Sequence, residues 1–212
     1  MKEPPKLKRL KQAALDHDFP MSCDDETGAV LRALAASKPL GIVLELGTGV
    51  GVSTAWMLDG LASGTRLVSV ERDARLSHIA KSHLGGDLRL AFHVQDASEF
   101  LADMLEVGVQ KFDLIFADAP AGKYQDLDKT IELLNKGGMV VFDDMRIAAD
   151  WRSGRVARVQ ALRENLRLYP ELRLSELDIG SGIVLAVKGD APPRRKGRAA
   201  RRLTPAQAMN DR

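Results

Sequence analysis

Ile42-Val43-Leu44-Glu45-Leu46-Gly47-Thr48-Gly49-Val50-Gly51-Val52-Ser53-Thr54-Ala55-Trp56-Met57 is the stretch whose reading decides the fold. An apolar run rich in Val and Ile is broken by closely spaced glycines, and Ser53 and Thr54 then open a second apolar pattern. That is the grammar of a buried strand, a tight turn and a helix N-terminus. Gly47, Gly49 and Gly51 let the backbone turn sharply and approach a ligand that any Cβ would push away, while the free N–H groups of the helix point into the same space. The unit reads as a nucleotide cradle.

A dinucleotide fingerprint has its third glycine three positions after the second, and here that position is Val52. This weakens the NAD reading. Glu45, two residues before Gly47, would repel a pyrophosphate but could meet the ammonium of an amino acid. The Glu45-x-Gly47-x-Gly49-x-Gly51 pattern resembles motif I of class I S-adenosylmethionine-dependent methyltransferases, and Leu44 to Ser53 looks most like the catechol and caffeoyl-CoA O-methyltransferase branch. The resemblance implies Glu45, Gly47, Thr48, Gly49, Gly51 and Ser53 as cofactor contacts. A glycine-rich turn that binds nothing is the bland alternative.

With 212 residues, 45% hydrophobic and 5% aromatic, the chain can bury one good core and has no room for two full domains. No run approaches the roughly 20 apolar residues of a membrane helix, and the charged start has no apolar signal core behind it. The expectation is a cytoplasmic protein. Cys23 is the single cysteine, so no internal disulfide forms, and it reads as a spare thiol near a helix start.

The net charge of +2 is unevenly spread. Residues 2 to 11 hold five Lys or Arg against Glu3, giving +4; residues 188 to 212 hold eight against Asp190 and Asp211, giving +6; the middle is −8. The expected organisation is a basic segment over 1–21, one catalytic domain over 22–188 and a basic, disordered tail over 189–212. The tail could hold RNA, but no aromatic residues interleave it for base stacking, and a solvated tail serves equally well.

Along the chain, Asp24-Asp25-Glu26 suits a helix start, and a helix over 25–36 follows. The helix after the glycines carries Trp56, expected in the core. Arg66 to Glu71 reads as the second strand, and Glu71 lies about 20 residues past the glycines, where an acid accepts from ribose hydroxyls. Leu88 to Val94 is the third strand, followed by Gln95-Asp96-Ala97-Ser98. By the resemblance, Asp96, Ala97 and Ser98 form the adenine turn, while Asp96 is also a natural N-cap for the next helix.

The fourth strand, Phe112 to Asp118, ends on a carboxylate. A helix holding Leu127, Ile131 and Leu134 leads through Lys136-Gly137-Gly138 to the fifth strand, Met139 to Phe142, which closes on Asp143-Asp144. In open parallel sheets the ligand site lies beyond the carboxyl ends of the strands, so Glu45, Glu71, Asp118, Asp143 and Asp144 gather on one rim. The order of these features resembles the O-methyltransferase family over about residues 24 to 188. Its metal-dependent members place Asp at the end of the fourth strand and Asp-Asn at the end of the fifth. By that resemblance Asp118, Asp143 and Asp144 are metal ligands, and oxygen donors suit Mg²⁺ or a similar ion. The family's lysine base falls on Ala121, which leaves Asp118 and Lys123 as catalytic candidates. Asp118 contacting cofactor or substrate directly, without metal, stays open.

A helix from Asp150 with an arginine-rich solvent face precedes strands at Leu172 to Leu177 and Ile183 to Val187, joined by a hairpin. The fold expected is a single α/β domain of the doubly wound, Rossmann-like kind: seven strands, mainly parallel with the last one reversed, and helices on both faces. The function expected is methyl transfer from S-adenosylmethionine to a hydroxyl of a small molecule. An RNA or protein methyltransferase using the tail, and a cofactor-binding module without catalysis, are the alternatives. A homodimer stays open.

Overall fold

A computed structural model describes residues 2–108 and 111–191. The tail expected at 189–212 lies outside the described residues from 192 onward. Seven strands form one sheet in the order β3-β2-β1-β4-β5-β7-β6. They are β1 (Ile42–Leu46), β2 (Arg66–Glu71), β3 (Leu90–Val94), β4 (Phe112–Ala117), β5 (Leu134–Phe142), β6 (Leu172–Leu177) and β7 (Ile183–Lys188). The first five are parallel, and β7 runs antiparallel to both β5 and β6. The doubly wound sheet with a reversed last strand is therefore present.

Side-chain alternation along the strands builds two cores, one per face. Val43, Leu114, Phe116 and Val141 point to the side covered by α1 (Leu7–Asp16), α2 (Asp25–Ala36), α3 (Val52–Gly60) and α4 (Ala74–Leu84). Leu44, Leu46, Ile115, Ala117 and Phe142 point to the side of α5 (Ala97–Val107), α6 (Leu127–Glu132) and α7 (Ser153–Arg167). Trp56 is buried in the first of these cores, as its place inside α3 predicts; its ring lies where a Cβ on Gly28 would come within 2.3 Å. No helix among the described residues is long and apolar enough to cross a membrane.

The basic N-terminal segment contains α1, which buries Leu7, Leu10, Ala13 and Ala14. Two of its cations are occupied within the fold: Lys6 donates to the carbonyl of His83 at 2.7 Å, near the end of α4, and Lys11 pairs with Asp25 at 2.6 Å. Leu134 belongs to the sheet, not to the preceding helix, because α6 stops at Glu132 and the Phe112 amide donates to Leu133 O at 2.8 Å. A register shift between Phe112 and Leu114 accommodates the Lys136-Gly137-Gly138 turn within β5, where Gly137 has φ +79°. The third strand begins at Leu90 because Asp87 accepts from both the amide and the guanidinium of Arg89, holding a turn there.

Candidate active site

The turn after β1 opens into a cleft of about 450 Å³ at the carboxyl ends of β1, β2 and β4. Gly47 has φ +102°, and a Cβ there would lie 3.1 Å from the Asp118 carbonyl. The amides of Gly47 and Thr48 both donate to Val70 O, which fixes the turn against β2. Gly51 has a different task. It caps α3 with φ +96°, and its missing Cβ makes room for Leu84 and Ala80 at 3.0 and 3.1 Å, so it serves helix packing and does not line the cleft.

Glu71 lines the cleft from the end of β2, held by the Gly49 amide at 2.9 Å and the Asp73 amide at 3.0 Å. Two fixed N–H donors leave carboxylate lone pairs for further donors. Asp96 caps α5, accepting from the Ser98 amide at 2.8 Å, and lines the cleft with Gln95 and Ala97. Ser98 turns away: its hydroxyl donates to Asp126 at 2.6 Å.

Glu45 is not at the cleft surface. Its carboxylate is fully buried beneath the turn, on the α3 side of the sheet, and accepts from Ser53 Oγ at 2.5 Å, Thr54 Oγ1 at 2.6 Å and Ser69 Oγ at 2.5 Å. Because the Ser69 proton goes to Glu45, Thr48 Oγ1 donates to Ser69 Oγ in the 2.5 Å contact between them. Burial pushes Glu45 up to about 7, against three hydroxyls that pull it down. The expectation that Glu45 meets a ligand ammonium gives way to a carboxylate that braces the strand, turn and helix from below.

At the other end of the cleft stands Asp118, flanked by Ala119, Pro120, Ala121 and Gln125. Lys123 follows in a loop closed by Gly122 N to Gln125 O at 2.8 Å and by Tyr124 N to Pro120 O at 2.9 Å. That loop turns the lysine inward, where Nζ donates to the Asp143 carbonyl at 2.5 Å with only 3% of the residue exposed. Burial raises the Asp118 carboxyl well above its usual range, with Asp143 and Asp144 adding to the shift and Lys123 opposing it. Burial lowers Lys123, against the three surrounding carboxylates. Asp143 accepts from Ser181 Oγ and from the Asp144 amide. Asp144 pairs with Arg155 at 3.0 Å, and that guanidinium lies 3.7 Å over the Trp151 ring.

The donor set does not suit a divalent ion. Mg²⁺ needs several free oxygen ligands in near-octahedral geometry, and here Oδ1 of Asp143 and Oδ2 of Asp144 already hold internal donors, while the buried Lys123 ammonium donates to the Asp143 carbonyl beside them. Among the described residues no group of three or more His, Cys, Asp or Glu side chains is arranged to hold a metal.

Sequence reasoning missed one wall. Phe19, Met21, Ser22 and Cys23, between α1 and α2, close the cleft, and the Phe19 ring lies where a Gly49 Cβ would come within 2.8 Å. The thiol is raised by burial and by Asp118 and Asp143. No spacing rule ties residue 23 to the glycine turn; the one local hint was a Phe and a Met in a polar connection.

The comparisons agree with this geometry. The family model described as O-methyltransferase matches residues 1–189. A curated protein from Mycolicibacterium smegmatis bearing that family's name is 34% identical over 173 residues, covering 76% of this chain and 80% of the relative. One from Mycobacterium sp. strain KMS is 31% identical over 176 residues, covering 76% of each. In fold, the chain resembles the O-methyltransferase TomG of Streptomyces achromogenes, solved with S-adenosylmethionine (TM-score 0.77, 24% identity, 89% of this chain and 92% of that one). It also resembles an O-methyltransferase of Bacillus cereus in complex with S-adenosylhomocysteine (TM-score 0.76, 23% identity, 89% and 92%). With a parallel sheet whose glycine turn, second-strand acid and fourth-strand acid share one cleft, and with a family match spanning nearly all described residues, this chain belongs to the O-methyltransferase family.

Proposed function

We propose that the chain transfers a methyl group from S-adenosylmethionine to the hydroxyl of a small molecule. The observation that carries this reading is the continuity of one cleft from the Gly47–Gly49 turn and Glu71 to Asp118. The turn leaves room for a ligand's backbone approach, and Glu71 presents a fixed carboxylate where ribose hydroxyls would donate. Gln95, Asp96 and Ala97 would hold the adenine end. Bound there, the cofactor supplies an electrophilic methyl on a sulfonium.

The protein's own share of such a displacement is alignment of the acceptor oxygen and removal of one proton. Asp118 and Lys123 are our candidates for it. An Asp raised by burial is a stronger base than an exposed one, and a lysine lowered by burial loses its proton more readily. The structures solved with S-adenosylmethionine and S-adenosylhomocysteine support the choice of cofactor. A divalent cation is left out of this reading, since two of the three carboxylates expected to hold it, Asp143 and Asp144, already hold internal partners.

Calorimetry should show binding of S-adenosylhomocysteine and none comparable of NAD. Glu71→Ala should weaken that binding by about 1–3 kcal/mol, since two ribose hydroxyls would lose a charged acceptor. Turnover against a panel of catechols and other phenols then tests the acceptor class. Tight NAD binding, or an unchanged affinity in Glu71→Ala, would overturn the assignment of the cleft.

A further inference from the structure

Among the described residues Lys123 is the only buried lysine, and its enclosure is built from several parts. Gly122 takes φ +84° with a Leu46 methyl 2.3 Å from where a Cβ would be, so the loop lies flat on β1. Thr130 Oγ1 donates to Gly122 O at 3.0 Å and fastens the same loop to α6. The bridge between Ala121 and Gln125 closes it. The loop so fastened sends the Lys123 side chain inward. That direction leads across to the end of β5, where Nζ meets Asp143 O.

Three carboxylates on adjacent strand ends repel one another unless a positive charge lies among them. Two cations do lie there. Arg155 pairs with Asp144 from α7, and Lys123 donates to the backbone carbonyl of Asp143, with the charges of Asp118, Asp144 and Asp143 acting on it from nearby. Asp143 is further engaged by Ser181 and by the Asp144 amide, which hold its carboxylate in place whether or not an ion is present. Among the described residues no group donates a hydrogen bond to the carboxylate of Asp118, the one of the three that lines the cleft. An ammonium has three N–H donors, and one is used on Asp143 O, so two remain.

We propose that the Lys123 ammonium takes the place of a divalent ion at this centre, setting its charge beside Asp118, Asp143 and Asp144 and offering its free N–H donors to the acceptor oxygen, so that the site works without metal. The acceptor part of this rests on the methyl-transfer reading above; the charge part does not. With Lys123 as the cation, Asp118 is left as the group that takes the hydroxyl proton.

The test uses the full chain and Mn²⁺ as probe, with free Mn²⁺ read by electron paramagnetic resonance. Wild type should show no stoichiometric uptake. Lys123→Met removes the charge and leaves the carboxylates, so it should bind Mn²⁺ at least about tenfold more tightly than wild type, and adding Asp118→Asn should abolish the gain. Wild-type turnover of a phenol should be unchanged in EDTA, and Lys123→Met should lower kcat by roughly a hundredfold. Lys123→Gln serves as a second neutral variant, and circular dichroism establishes folding for both. Stoichiometric Mn²⁺ uptake by wild type that Asp118→Asn removes would overturn the proposal whatever the variants do. So would a folded Lys123→Met or Lys123→Gln with no gain in Mn²⁺ binding. Should wild type methylate no phenol, the acceptor reading fails while the Mn²⁺ measurements still decide the cation's place.

Discussion

Glu45 accepts three hydroxyl protons and touches no solvent, so its ionisation is tied to folding. In the unfolded chain it titrates near the usual 4.5, and in the fold near 7. The folded state therefore binds more protons between those values, and stability falls as pH rises through that window. A shift of this size corresponds to about 3 kcal/mol across the whole window. Glu45→Gln keeps an acceptor and a donor for hydroxyls that can rotate, and it cannot ionise. Denaturant unfolding of wild type should show stability declining from pH 5 to pH 7, and the Gln variant should flatten that decline by about 2–3 kcal/mol. Parallel curves for the two proteins would mean that water reaches the carboxylate. At this scale the sequence was legible where the cleft depends on backbone and spacing: Gly47, Gly49, Glu71 and Asp96 all line it, while Gly51 serves helix packing instead. Glu45 was misplaced because strand alternation sends residues 43 and 45 to the α3 face, where Ser53, expected at the cofactor, joins Thr54 and Ser69 in donating to it.

Elements meet at the site through contacts that no local pattern announces. The turn between β6 and β7 docks on the start of α2: the Ser181 amide donates to Asp24 at 2.9 Å across 157 positions of sequence, and Gly180 N donates to Glu26 at 3.0 Å. The same serine's hydroxyl reaches Asp143, so the hairpin ties α2 to the acid centre. Asp24 is at once the N-cap of α2, accepting from the Thr27 amide at 2.7 Å. Gly180 has φ +53°, and a Cβ there would lie 2.0 Å from an Asp24 oxygen. Gly180→Ala should accordingly cost about 1–3 kcal/mol in chemical denaturation, more than its strained φ alone, because the cap must also move. Loss of a few tenths of a kcal/mol only would show that the hairpin can swing away freely. The hairpin and the α2 cap were each readable from Gly-Ser-Gly and Asp-Asp-Glu. Their union was not, since it depends on the reversed strand bringing residue 181 beside residue 24. For the same reason Leu134 was read as helix: its pairing with Phe112 is a sheet contact, and a leucine three places after Ile131 and seven after Leu127 looks helical.

The whole molecule is a sheet whose order sends the ends of β1, β2 and β4 to one edge, with the N-terminal segment laid across it. The mainly parallel sheet with its reversed last strand and the position of the cleft follow from the alternation of strand and helix, which is why they were legible. The N-terminal segment was read by its charge, and charge hid the amphipathic helix beneath. Leu7 and Leu10 are fully buried against the α3 and α4 side, and Lys6, Lys11 and Arg32 tie the segment to α4, α2 and the Lys2 carbonyl. The amide of Phe19 donates to Ala14 O at 2.8 Å, so the end of α1 positions the ring that packs on Gly49. Stability and ligand binding are thus coupled through one helix. Leu10→Ala should destabilise the fold by about 2–5 kcal/mol, the usual range for a leucine truncated in a closed core. Removing residues 2–16 should go further, lowering the melting temperature and weakening S-adenosylhomocysteine binding together, because the wall of the cleft loses its anchor. Leu10→Ala, which keeps the helix, should leave the affinity within about threefold of wild type at temperatures where it is folded, since Phe19 still docks. A truncated chain that melts with the full-length protein and binds the ligand equally well would reduce α1 to an accessory, and the placement of Phe19 would then have to come from the glycine turn itself.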